Sequence, residues 1–256
     1  MIENMRYAGF VNRGAIEHGF KAAVPGATLR AVNEAIERFI VENRCRPAFK
    51  NYQPLGSEKP FPAAACISPN DVVVHGVPGD YIIKDGDLLT IDTGTEYNGW
   101  FVDSARSRVI GTNQKAEYLI EATDAILNAQ LSVIKDECTF LELVEVSEKV
   151  ADQYGITIMS QWGGHRIGER IHIDPFIPSG INRNQSQIKQ ALERKKYARL
   201  CLKEGQTICI EPVTTYGSSD IILDEDSWTV RKSDGLLAAH TERCLLVTKT
   251  GYELLS

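Results

Sequence analysis

The 256 residues suffice for one large domain or two fused halves with a substantial core. Charged residues make up 24% of the chain, which excludes disorder, and a net charge of −6 leaves no basic excess for sequence-independent nucleic-acid binding. No apolar run reaches the roughly 18 residues a membrane helix needs. The opening MIENMRYAGF lacks a basic stretch followed by an apolar one, so no signal peptide is expected and the reading is cytoplasmic.

In chain order, Met5, Ala8, Ala15 and Ala22 recur among polar residues and predict a helix over the first 23 residues. PGATLRAVNEAIERFIVEN predicts a second helix, with Thr28 as cap and Leu29, Val32, Ile36 and Ile40 on one face. Residues 45–68 carry four prolines and read as loop. Strands are expected at about 71–75, 87–95 and 100–110. Asn113 caps a helix predicted to run to about Asp136, and Thr139 with Glu142 has capping-box spacing for the next. Short strands follow Gly155, interrupted by a polar, basic helix over residues 184–200. The six cysteines show no CxxC spacing, so neither a disulfide framework nor a thiolate zinc site is expected; Cys201 and Cys209 read as buried thiols.

The order helix, helix, strands thus occurs twice. KDGDLLTID (84–92) and KEGQTICIE (203–211) align without gaps, so Asp92 corresponds to Glu211. This echo is the sign of a duplicated α/β (α+β) architecture.

TIDTGTEYNGWFVDSA holds the most informative polar residues. A two-residue type I′ turn at Asn98-Gly99 makes cross-strand partners sum to 197, which puts Asp92 opposite Ala105 and Asp103 opposite Gly94. The two carboxylates become diagonal neighbours on one face and require a positive charge between them. Further acids and imidazoles interrupt apolar strand patterns at His75, His165, His172, Glu211 and Glu242. Taken singly, each has an ordinary explanation: Asp103 as a turn former, Glu211 as a strand-end surface charge, Glu242 in an ion pair with Arg243, His75 capping a turn, His172 half-buried. Together, four carboxylates and a histidine suit a pair of divalent cations.

In order and spacing, CISPNDVVVHGVPGD, KDGDLLTIDTGTEYNGWFVDSAR, GGHRIGERIH, LKEGQTICIEPV and SWTVRKSDGLLAAHTERCLLVTKTG resemble the type I methionine aminopeptidases of the pita-bread metallopeptidase fold. The resemblance implies one catalytic domain over residues 1–256, with approximate pseudo-repeat halves 1–112 and 113–256. Each half would pack a helix pair on a mainly antiparallel, curved sheet. It implies removal of the N-terminal methionine from nascent proteins and peptides with a small second residue, by a metal-activated water at a dinuclear site of Co, Mn, Fe or Zn. Asp92, Asp103, His165, Glu211 and Glu242 would be the ligands, Asp103 and Glu242 bridging. His75 would contact the scissile amide, His172 would stabilise the tetrahedral intermediate and Glu211 would be the general base. Cys66, Phe61 and Trp228 would line the methionine pocket.

The alternatives are another exopeptidase of this fold, acting on Xaa-Pro bonds, and a non-catalytic binding protein. Three residues depart from the family pattern: Arg166 after His165, Ile173 with Asp174 after His172, and His240 two before Glu242. Arg194, Lys195, Lys196 and Arg199 read as a solvated helix face, with proximity to the ribosome as the other reading. The partners expected are N-termini of nascent polypeptides, with no specific nucleic acid and no membrane, and the chain is expected to be a monomer.

Overall fold

The computed structural model describes residues 1–54 and 56–256. The chain begins with helices α1 (Ile2–Ala22) and α2 (Leu29–Glu42), then strands β1 (Arg46–Pro47), β2 (Cys66–Pro69), β3 (Val72–Val74), β4 (Asp87–Tyr97) and β5 (Trp100–Ile110). Helices α3 (Gln114–Val133) and α4 (Phe140–Tyr154) open the second series. They are followed by β6 (Thr157–Ile158), β7 (Gly163–Arg166), β8 (Ile173–Pro178), helix α5 (Gln187–Tyr197) and β9 (Thr207–Ile210). The chain continues through β10 (Val213–Thr215), β11 (Ile221–Leu223), β12 (Val230–Lys232), β13 (Ala238–His240), β14 (Arg243–Val247) and β15 (Tyr252–Leu254).

Local chemistry accounts for the helix starts. Thr28 Oγ1 accepts from the Ala31 amide, and Asn113 Oδ1 from the Ala116 amide. Thr139 and Glu142 form a complete capping box, and α4 ends where Gly155 adopts φ 65°. Helix α3 stops at Val133, short of the expected Asp136. There the Asp136 amide donates to the Thr248 carbonyl, and its carboxylate accepts from Glu204 N and Lys249 Nζ. Those long-range bonds pull the chain out of the helix. The segment 45–68, read as loop, contains β1 and the start of β2, because both pair with one edge of β4.

Among the described residues all strand pairs are antiparallel and fall into four sheets. One is built on β4, flanked by β1 and β2 on one edge and β5 on the other; another runs β15-β14-β9-β7-β8. Helices α1 and α2 bury Val11, Ile16, Val32, Ile36 and Ile40 against Leu89 and Ile91 of β4. Helices α3 and α4 bury Leu127, Phe140 and Leu143 against Ile208, Ile210 and Leu245. Each helix pair therefore backs one sheet, and the inner faces of the sheets meet at a third cluster that includes Phe61, Cys66, Cys209 and Cys244. All six cysteines are free thiols; Cys209 is buried, whereas Cys201 is only half-buried.

Candidate metal centre

The β4–β5 hairpin has the register expected from its turn. Asn98 and Gly99 have φ 51° and 83°, and the partners are Tyr97–Trp100, Asp92–Ala105 and Gly94–Asp103. Buried Asn12 of α1 clamps this hairpin from behind. Its amide donates to Thr93 O, and its Oδ1 accepts from Ser104 Oγ, so one side chain holds both strands. No periodicity in the sequence signals this role, because Asn12 sits on an otherwise apolar helix face.

Glu211 and Glu242 come from the facing sheet. Strands β9 and β14 pair Cys209 with Cys244 and Ile210 with Arg243. One further step of that register puts Glu211 opposite Glu242. The Glu242 amide donates to Ala105 O at 3.0 Å, and Ala105 is the cross-strand partner of Asp92. That bond ties the second carboxylate pair to the first.

His165 lies on β7 beside Cys209. Its Nδ1–H donates to the Arg166 carbonyl at 3.0 Å, which leaves Nε2 facing Glu211 Oε2 at 3.5 Å and Glu242 Oε1 at 3.9 Å. Only glycine fits at position 164: a Cβ there would come within 2.0 Å of the Cys209 carbonyl oxygen. The close approach of β7 to β9 at this point brings the imidazole to the acids.

All ten residues singled out from the sequence line one cavity: Phe61, Cys66, His75, Asp92, Asp103, His165, His172, Glu211, Trp228 and Glu242. Phe49, Tyr52, Val74 and His240 join them. The free space is about 70 Å³, and it opens to a mouth of about 380 Å³ walled by Trp162, Ile173, Asp174 and Phe176. Among the described residues Arg166 lines neither space. His240 does enter the cavity, with Nε2 4.0 Å from Glu211 Oε1. His75 adopts φ 58°, a left-handed backbone that is uncommon outside glycine and turns its ring toward the Trp228 indole.

Without a counter-charge the acids are strongly perturbed. Burial first, then mutual repulsion, pushes Asp92, Glu211 and Glu242 well above the ordinary carboxylate range, and burial raises Asp103 to about 7. Asp92 Oδ1, Asp103 Oδ1 and Glu242 Oε1 are buried with no hydrogen-bond partner. Ligand atoms of Asp92, Asp103 and Glu242 lie within 4.8 Å of one another, as do those of His165, Cys209 and Glu242 and those of Asp103, His165 and His172. Orphaned oxygens, converging carboxyls and an oriented imidazole fit divalent cations bound by oxygen and nitrogen.

The same carboxyls make the metal-free protein sensitive to alkaline pH. With pKa values higher folded than unfolded, the folded state holds more protons, and stability falls as pH rises by about 1.4 kcal/mol per pH unit for each extra proton. Burial lowers His75 to about 4 and His240 to about 3, which opposes this trend only below the ordinary histidine range. From pH 7 upward the acids set the trend, joined toward the ordinary thiol range by Cys45, Cys66, Cys138 and Cys209, which burial also raises and which act in the same direction. After chelation, thermal melts are expected to give a lower Tm at pH 8.5 than at pH 7. Added Mn or Zn is expected to raise Tm more at pH 8.5; a flat or rising profile in the chelated protein would count against the buried acids.

With this geometry established, comparison with known proteins decides the family. Residues 3–249 match the metallopeptidase family M24. The chain belongs to that family. Among M24 relatives, the methionine aminopeptidase of Mycoplasma capricolum is 32% identical over 258 residues, covering all of this chain and 95% of that protein. The methionine aminopeptidase of Aquifex aeolicus is 36% identical over 227 residues, covering 87% and 83%. The crystal structure of a Thermotoga maritima methionine aminopeptidase matches with TM-score 0.87 at 28% identity, over 99% of this chain and 95% of that one. A prolidase from Pyrococcus furiosus matches at TM-score 0.72 and 24% identity, and this chain spans 63% of it; that likeness is one of fold alone. The M24 architecture is the pita-bread fold expected from the sequence.

Proposed function

We propose that the chain is a metal-dependent methionine aminopeptidase that removes the N-terminal methionine from nascent proteins and peptides with a small second residue. The observation that carries this reading is the convergence of four carboxyls, Asp103 and Glu242 buried and Asp92 and Glu211 half-buried, and His165 beside a pocket of Cys66, Phe61 and Trp228. Polarisable sulfur and aromatic edges suit an unbranched thioether. In this reading Asp92, Asp103, His165, Glu211 and Glu242 would hold two divalent ions, drawn from Co, Mn, Fe or Zn. When bound, such a pair polarises the scissile carbonyl and lowers the pKa of a water to near neutrality.

The remaining roles fall to the protein's own side chains. Glu211 takes the proton from the attacking water and returns it to the leaving amine. His75, held neutral by burial, contacts the scissile amide. His172 donates to the oxygen of the tetrahedral intermediate. The acids hold the free α-amine of the substrate, so cleavage follows the first residue only.

Residues 1–256 are taken as one catalytic domain with approximate halves 1–112 and 113–256, each opening on a helix pair. We take the chain as a cytoplasmic monomer; no described helix is long and apolar enough to cross a membrane. Helix α5 buries none of its residues, and Arg194 pairs with Glu148 of α4 at 2.5 Å. We take the basic residues of α5 as a solvated helix face, with Arg194 held by its ion pair.

The test is hydrolysis of Met-Ala-Ser against an Ala-Pro peptide, run with Mn, Fe, Co and Zn in turn. Release of methionine from the first peptide is expected. Cleavage of the Ala-Pro peptide alone would favour a prolidase-like exopeptidase. A protein that binds no metal and cleaves neither would be a non-catalytic member of the fold.

A further inference from the structure

We propose that Tyr52 is a positioning residue that sets the tautomer of His172, leaving the ring proton on Nε2, the nitrogen that faces the substrate. The proposal rests on the aminopeptidase reading for its consequence in catalysis, and on geometry alone for the tautomer.

Tyr52 Oη lies 2.8 Å from His172 Nδ1, and the two rings meet edge to face at 5.2 Å between centroids. No other protein partner is recorded for either group among the described residues, so among protein atoms the hydroxyl hydrogen has one acceptor in reach: the lone pair of Nδ1. The phenol, whose ordinary pKa is about 10, is protonated at neutral pH and has a hydrogen to donate. A neutral imidazole carries one N–H. With Nδ1 accepting, that hydrogen sits on Nε2, at the ring edge away from Tyr52.

The placement of Tyr52 is itself built. Its amide donates to Phe49 O at 2.9 Å and its carbonyl accepts from Phe61 N at 2.8 Å, while Asn51 N donates to Phe61 O at 2.8 Å. These bonds tie Tyr52 to Phe61, which lines the same cavity. His172, by contrast, is open to solvent on one side, and its neighbour Ile171 is the residue buried in the core. The ring is oriented by its hydrogen bond to Tyr52 and by an edge-to-face contact with His165 at 4.6 Å between centroids. An imidazole in the other tautomer would present a lone pair to a developing oxyanion and repel it.

The experiment uses zinc-loaded protein labelled with 15N-histidine. His172 is identified among the five histidines as the signal lost in His172→Ala. Wild-type His172 is expected to show an unprotonated Nδ1 and a protonated Nε2. Tyr52→Phe, which keeps the ring and its packing, is expected to give a mixture of tautomers and about a ten-fold fall in kcat, with KM within about two-fold. In a His172→Ala background, Tyr52→Phe is expected to cost nothing further. A wild-type proton on Nδ1, an unchanged tautomer in Tyr52→Phe, or an unchanged kcat would each overturn the proposal. So would an undiminished cost in the His172→Ala background, which would mean that Tyr52 acts directly. The tautomer is read without substrate, so failure to release methionine would sink the aminopeptidase reading and leave this assignment standing.

Discussion

Asp103→Asn is expected to abolish tight metal binding and to lower activity by about 10³-fold, while making the metal-free protein more stable. The two effects share one cause. Asp103 is 2% exposed, with Oδ1 unpartnered, and it repels Asp92, Glu211 and Glu242. Asparagine keeps the shape and removes the charge, so the bare site loses a source of repulsion. The loaded site loses several kilocalories of charge stabilisation, which corresponds to about three decades in rate. Metal content by atomic emission, kcat/KM on Met-Ala-Ser and thermal melts in chelator measure all three. In the variant the fall in Tm between pH 7 and pH 8.5 is expected to shrink. Parent-like metal content, or a metal-free protein less stable than the parent, would contradict this account.

Gly164→Ala is the second large effect, and it involves no ligand atom. The added Cβ would overlap the Cys209 carbonyl oxygen of β9, and backbone on both sides leaves nothing flexible to yield. The strands must part, and His165 moves relative to Glu211 by a fraction of an ångström to an ångström. Such a displacement costs about 10²-fold in rate when reacting groups depend on fixed geometry. The variant is expected to bind Zn more weakly by titration and to keep its helical circular dichroism. Unchanged affinity would mean that β7 and β9 have more freedom than their spacing indicates.

These two positions also mark what a sequence can and cannot reveal here. Asp103 was legible because Asn98-Gly99 fixes a register, and a register fixes which face each side chain takes. The caps at Thr28, Asn113 and Thr139 were legible for the same reason: each is a local hydrogen bond between residues three apart. Gly164 was quoted only as part of a motif, since its role depends on a strand more than 40 residues away. Strands β1 and β2 hid in a proline-rich segment because their pairing with β4 is long-range. Arg166 beside His165 raised the prospect of a guanidinium among cations, yet its side chain stays out of the cavity while its carbonyl orients the imidazole. Tyr52 carried no signal at all, being one aromatic in a loop until the fold brings it to His172.

The cavity is narrow where the acids lie and wide where it meets solvent, and Phe49, Phe61 and Trp228 are among the residues that line its interior. A polypeptide can reach the acids only by its tip, because a loop entering mid-chain would need room for two strands side by side. Stretches in the middle of a neighbouring chain are thereby excluded. Selectivity for a free chain end follows from the shape of the entrance.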